Sequence, residues 1–153
     1  VYARQLAWLH ATPKQPGSKE SQNQKSKCRI DLITENGGTV ELPEFEVAAY
    51  LIDYWKDVGS VSQGGYSAAP LTAIEISAWQ QMVGIRLNPW EFRVLREMSR
   101  AYLAYLHEAE EFECPAPFGD YSRQFNRNHI AEQAKRVFGR LAETGVKKKG
   151  KSK

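Results

Sequence analysis

The sequence predicts a mainly α-helical protein: a small helical domain with a minor β-hairpin, a flexible basic linker near its start and a lysine-rich tail. Three observations carry this reading. Residues 72–83 and 89–110 each begin with a complete helix-start signal and continue with apolar residues at helical spacing. Residues 30–42 alternate apolar and polar side chains around a glycine turn, the pattern of a small hairpin. The net charge of +3 over 153 residues conceals a segregation, with basic ends and an acidic middle.

Taken in order, residues 2–11 read as a short helix with Tyr2, Leu6 and Leu9 on one side, stopped by Thr12 and Pro13. Trp8 either joins that face or stays exposed. Residues 13–27, PKQPGSKESQNQKSK, contain no aliphatic side chain and cannot offset the entropy of ordering, so they read as a mobile linker. In RIDLITENGGTVEL, Ile30, Leu32, Val40 and Leu42 flank Asn36-Gly37-Gly38 as two strands about a turn. Such a hairpin is marginal alone and must lean on helices. Pro43 then opens a helix to about Val58, with Phe45, Ala48, Leu51, Ile52 and Trp55 inward, Glu44 and Glu46 in its first turn and Gly59 closing it. GSVSQGGYSAAP reads as a flexible loop.

Thr72 and Glu75 form a capping box, in which hydroxyl and carboxylate each satisfy a free backbone N–H. The helix they start carries Ile74, Ala78 and Met82 on one line and Ile76, Trp79 and Val83 on the next, and Gly84 ends it. Asn88-Pro89-Trp90-Glu91 supplies the second start, and an apolar stripe of Val94, Leu95, Met98, Tyr102, Tyr105 and Leu106 follows to about Glu110. Glu108, Glu110, Glu111 and Glu113 crowd the end where the helix dipole disfavours them, which predicts fraying. After the connector CPAPFGDYSRQFNRN, a last amphipathic helix begins near His129, with Ile130, Ala134, Val137, Phe138 and Leu141. The division expected is a short helix plus basic linker at 1–29, a helical domain at 30–145 and a disordered lysine-rich tail at 146–153. There is no internal repeat.

Charge and motifs narrow the function classes. The basic residues Arg4, Lys14, Lys19, Lys25, Lys27 and Arg29 precede the acidic middle, and five lysines from Lys147 to Lys153 follow it. A nucleic-acid-binding domain places its cations on the folded face that meets phosphate, so the ends offer only loose, non-specific contact. Cys28 and Cys114 sit in no CxxC or Cys/His cluster, as expected of two isolated thiols in a reducing compartment. No apolar run reaches the length of a membrane span, and the start lacks a signal peptide's order. Val1 fits an alternative start codon, a processed or truncated chain, or a frame-fusion junction equally well. His10, His107 and His129 lie in separate segments, and HExxH, GxSxG and Walker-type loops are absent. Gly64-Gly65 is followed by no Lys-Ser or Lys-Thr. Asp53 and Asp57 share a helix face but bring no further ligands. No enzyme, cofactor or metal is expected.

Candidate partner-binding residues are Trp79, Trp90, Arg93, Arg96 and Arg100. The three arginines recur at three- and four-residue spacing and share one helix face. With Glu97 among them they form either a solvated, salt-bridged face or a docking face for a carboxylate-bearing partner. Trp79, flanked by glutamines, reads as a partly exposed anchor, and Trp90, close to the line through Val94, as core. A helix-turn-helix DNA-binding module is the alternative for residues 72–110, although the link is long and the second helix opens with Trp90, Glu91 and Phe92 where base-reading side chains are wanted.

The order AAYLIDYWKDVG, a glycine-rich loop, LTxxEIxAWQ, Gly and LxPWExRxLRxMSRAYL, spread over about residues 44–118, resembles small proteins encoded just upstream of the tape-measure gene in long-tailed bacteriophages and prophages, the lambda-like tail assembly chaperones. The resemblance implies a non-catalytic protein of the host bacterial cytoplasm. Such a protein holds the tape-measure protein soluble, helps recruit tail-tube protein and leaves before the virion is complete. It implies no small-molecule substrate and no membrane. A separate, complete N-terminal chaperone domain, part of the family pattern, is not identifiable in this chain.

Overall fold

The computed structural model describes residues 1–14, 27–65 and 67–121. The chain divides after Gly119 into two compact units, and the helices and strands of the described residues all lie in the first, Val1–Gly119. The expected linker is described only at its two ends. The expected last helix and the lysine tail lie outside the described residues.

The fold is mainly α with one small hairpin: α1 (Tyr2–His10), α2 (Arg29–Glu35), α3 (Tyr50–Asp57), β1 (Ser62–Gly64), β2 (Ser67–Ala69), α4 (Ala73–Val83) and α5 (Pro89–Glu108). The longest helix, α5, is the spine. Its buried side is Leu95, Ser99, Tyr102 and Leu103, and α1 packs most extensively along it, followed by α3. Tyr2, Ala3 and Ala7 of α1, Leu51 and Trp55 of α3, and Leu71 and Ile76 complete the core. The two alanines, one turn apart, let the α1 and α5 backbones approach closely. Trp55 meets Tyr102 edge-on at 5.7 Å between ring centres, a favoured aromatic geometry. Trp8 of α1 is also buried. The first helix thus belongs to the domain core, and the polar stretch after it interrupts the chain without separating the fold.

Several elements differ from expectation. RIDLITE is helical, with Arg29 and Ile33 one turn apart on its buried side. The glycines that suggested a hairpin turn instead terminate this helix: Gly37 adopts φ +70°, its N–H donates to the Thr34 carbonyl at 3.0 Å, and Gly38 N–H donates to the Ile33 carbonyl at 2.9 Å. That pair of bonds is the Schellman cap, which needs a left-handed residue just past the helix end. Asn-Gly-Gly serves a hairpin or a helix stop equally, and burial of Arg29 and Ile33 decides between them. The hairpin lies in the stretch expected to be a flexible loop, with Ser62 opposite Ala69, Gln63 opposite Ala68 and Gly64 opposite Ser67. A Cβ at Gly64 would stand 2.7 Å from the Ser67 carbonyl oxygen, so only glycine permits this closure.

The helix expected from Pro43 begins only at Tyr50. Ala48 sits at φ +59°, a strained conformation for alanine, and Phe45 turns back to meet Tyr2 edge-on at 5.8 Å. Both α4 and α5 carry the expected capping boxes, and Gly84 ends α4 at φ +71°.

Three buried polar side chains tie segments together. Gln5 Nε2 donates to the Glu41 carbonyl at 3.2 Å while its Oε1 accepts from Phe118 N–H at 3.0 Å, so one amide holds two loops to α1. Ser99 Oγ accepts from Leu71 N–H at 2.9 Å. Arg29, 1% exposed, stacks over the Trp8 ring at 4.8 Å and donates to the carbonyls of Trp8 (3.4 Å), Glu111 (2.9 Å) and Ala109. Lys14 adds a backbone bond to Glu110 and a 2.7 Å ion pair with its carboxylate. The acidic end of α5, expected to fray, is therefore held: Ala109 is fully buried, and cations stand where the helix dipole wants them.

Arg29→Met should lower unfolding free energy by about 2–4 kcal/mol, because three carbonyls lose a charged donor. Arg29→Lys should recover little of it, since a point ammonium cannot replace the planar fork. Urea denaturation followed by circular dichroism measures both. A second expectation concerns His10, whose Nδ1 lies 2.8 Å from the Tyr102 hydroxyl and whose pKa burial lowers below the usual 6.5. The fold favours the neutral ring, so its contribution is present above pH 6.5 and is lost as pH falls below that value. The melting temperature should drop on acidification from pH 7.5 to 5, and His10→Gln should flatten that part of the profile.

Candidate functional site

The outward face of α5 is set by how the helix starts. Asn88 Oδ1 accepts from the N–H groups of Trp90 (2.9 Å) and Glu91 (3.0 Å), and Glu91 Oε2 accepts from Asn88 N–H at 2.7 Å. Glu91 is further held by the Tyr50 hydroxyl, which donates to its Oε1 at 2.6 Å. That bond first, and the Asn88 N–H second, keep the Glu91 carboxyl below the usual carboxylate range. With the first turn fixed from both sides and Leu95 inward, Trp90 lies about 140° around the helix from Leu95 and projects outward.

Trp90 is 55% exposed. This corrects the expectation that it packs in the core, since its sequence proximity to Val94 brings it only to the margin of the apolar stripe. Trp79 is partly exposed, as expected, but it is engaged within the chain. Its indole Nε1 donates to Asp57 Oδ2 at 2.7 Å and its ring leans on Tyr54 at 5.4 Å, so it fastens α4 to α3. Flanking glutamines marked it as polar-sided, but the acceptor on α3 was not visible in the sequence.

The three arginines share a face as expected, yet they are not equivalent. Arg93 donates through Nε to the Pro89 carbonyl at 3.1 Å and leaves the outer edge of its guanidinium facing solvent. Arg100 pairs with Glu97 at 2.6 Å, an exposed pair three residues apart that adds little stability. Arg96 lies down, its guanidinium 5.9 Å from the Phe92 ring centre and its Nε enclosed without an acceptor. Trp90, Arg93, Glu97 and Arg100 thus form the accessible stripe: one large aromatic beside one uncommitted cation and one ion pair.

A second exposed patch, not singled out from the sequence, is the line Ile74 (81% exposed), Ala78 and Met82 (87% exposed) on α4. The clue was that both sequence lines of this helix are apolar, whereas a helix at a domain's edge buries only one.

Several of the titratable side chains are engaged in structure. Asp57 receives Trp79, and the Cys28 thiol donates to Asp31 at 3.0 Å and is pushed up by burial. Tyr105, its phenol pushed up to about 12 by burial first and Cys114 second, donates to the Pro115 carbonyl at 2.8 Å. Among the described residues, no group of three or more His, Cys, Asp or Glu could hold a metal ion, and no helix is long and apolar enough to cross a membrane.

Trp90 supplies most of the solvent-accessible indole, because Trp8 and Trp55 are buried and Trp79 is half-buried. Trp90→Phe should therefore remove most acrylamide-quenchable fluorescence while changing stability by less than about 0.5 kcal/mol. Comparison of the chain with family models, curated proteins and solved structures gives no match.

Proposed function

We propose that this chain is a tail assembly chaperone-like protein of a long-tailed bacteriophage or prophage, acting in the host bacterial cytoplasm by binding the tape-measure protein, with the tail-tube protein as a further partner. The role is binding rather than catalysis. The observation that carries the reading is the exposed Trp90 beside Arg93 on a helix capped at its first turn. Tryptophan and arginine are the residue types most enriched among interface hot spots, because each covers a large area while offering a directed polar contact. A helical client laying an apolar stripe over Trp90, with a carboxylate reaching Arg93, makes the matching contact. The resemblance of residues 44–118 to proteins encoded next to tape-measure genes supplies the identity of that client.

The reading is tested by co-expression with a tape-measure fragment from the same genome. The fragment's soluble fraction should rise several-fold and the two should co-purify. Trp90→Ala and Arg93→Glu should each lower recovery of the complex at least tenfold, with unchanged circular dichroism. No gain in solubility and no co-purification would overturn the proposal, whereas a sequence-selective, salt-resistant gel shift would point to DNA instead.

A further inference from the structure

Residues 43–49, PEFEVAA, carry a helix start that the fold does not use. Pro43 suits a first helical position, and Glu44 and Glu46 complement the helix dipole in a first turn. Phe45, Ala48, Ile52 and Trp55 recur at helical spacing, so the inward line of α3 continues upstream as far as Phe45. The helix itself begins at Tyr50, where no local signal calls for it. Its N-cap, Ala49, already has helical angles (φ −54°, ψ −32°) and no side chain bonds to its first N–H groups, whereas α4 and α5 both begin with capping boxes. A single residue interrupts the continuation. Ala48, at φ +59°, is the one non-glycine residue at positive φ among the described residues. Among those residues, too, no backbone N–H from Glu44 to Ala49 donates to a backbone carbonyl, and Val47 is 80% exposed. The segment is held lightly, by the Phe45 ring against Tyr2 at 5.8 Å, by the Gln5 bond to the Glu41 carbonyl, and by Leu42 and Ala48 leaning on the core.

We propose that residues 43–49 are a two-state strap, folded back on α1 through Phe45 in one form and wound onto the start of α3 as two further turns in the other. Strain of the kind seen at Ala48 collects at switch regions, where local preference and tertiary contact disagree. Winding removes the left-handed alanine, gives the N–H groups from Glu46 to Ala49 carbonyl partners four residues back, and keeps Ala48 on the side of Ile52 and Trp55. In exchange it gives up the Phe45–Tyr2 contact and uncovers Tyr2, which is buried in the folded-back form. Residues 39–42 belong to no helix or strand and form the hinge that absorbs the change. Because Tyr50 meets Glu91 and Trp55 meets Tyr102, α3 and α5 run in the same direction. The wound segment therefore projects about 10 Å past the first turn of α5. A partner that contacts Tyr2 or the projecting turns shifts the balance toward the wound form by its differential affinity for the two states.

Carbon-13 chemical-exchange saturation transfer NMR of the full chain tests this with no client present. Residues 43–49 should exchange with a minor state of about 1–10% population whose Cα shifts are helical. Phe45→Ala removes the latch while keeping a good helix former, and should raise the wound population about fivefold. Ala48→Gly accepts the left-handed conformation without strain and weakens a helix, and should lower that population about tenfold. Absence of exchange in both the parent and Phe45→Ala overturns the proposal. So does a minor state with random-coil shifts, which would make the segment a loop that detaches without winding, and so does a wound population that Ala48→Gly leaves unchanged or raises. The readout involves neither Trp90 nor the tape-measure fragment, so this proposal and the α5 reading stand or fall separately.

Discussion

The guanidinium of Arg29 closes the carboxyl ends of two helices at once. It takes the Trp8 carbonyl near the end of α1 and the carbonyls of Ala109 and Glu111 at and beyond the end of α5, while its own backbone N–H donates to the Ala11 carbonyl at 3.0 Å. Helix ends leave carbonyls without partners, and burying them unpaired is costly, so two helices can lie side by side with enclosed ends only if a donor reaches both. One planar group with a fork of N–H donors does so. Its charge is stabilised by Trp8 and by the partial negative charge of two helix termini.

From that constraint the exposed face follows. With α5 tied at its far end by Arg29 and Lys14 and at its near end by Asn88 and Glu91, the rotation of the helix about its axis is set by Leu95, Ser99, Tyr102 and Leu103 facing inward. The side chains half a turn away, Trp90, Arg93 and Arg100, have no alternative to solvent. A partner of the proposed kind would meet a stripe whose backbone is already fixed, so that ordering it would cost little freedom on binding.

The peripheral position of α4 comes from a different balance. One core residue, Ile76, and polar fastenings through Glu75, Trp79 and Gln80 hold it, so that among the described residues its second apolar line is left uncovered.

Local chemistry was legible in the sequence wherever one side chain acts on its own neighbours. The mainly helical class, the capping boxes at Thr72–Glu75 and Asn88–Glu91 and the stop at Gly84 were all legible there, and each cap and stop depends on residues within four positions of one another. Tertiary structure alone decided the rest. Whether Asn36-Gly37-Gly38 turned a hairpin or ended a helix depended on Arg29 finding carbonyls 80 residues away; what Trp79 bonds depended on Asp57 lying across from α4, and the exposure of Trp90 on which side of α5 faced the core. Which line of α4 went inward depended on how much core α5 and α3 had left to fill. In each case the deciding partner is distant in sequence, and a periodic pattern marks a side chain as able to be buried without saying what will cover it.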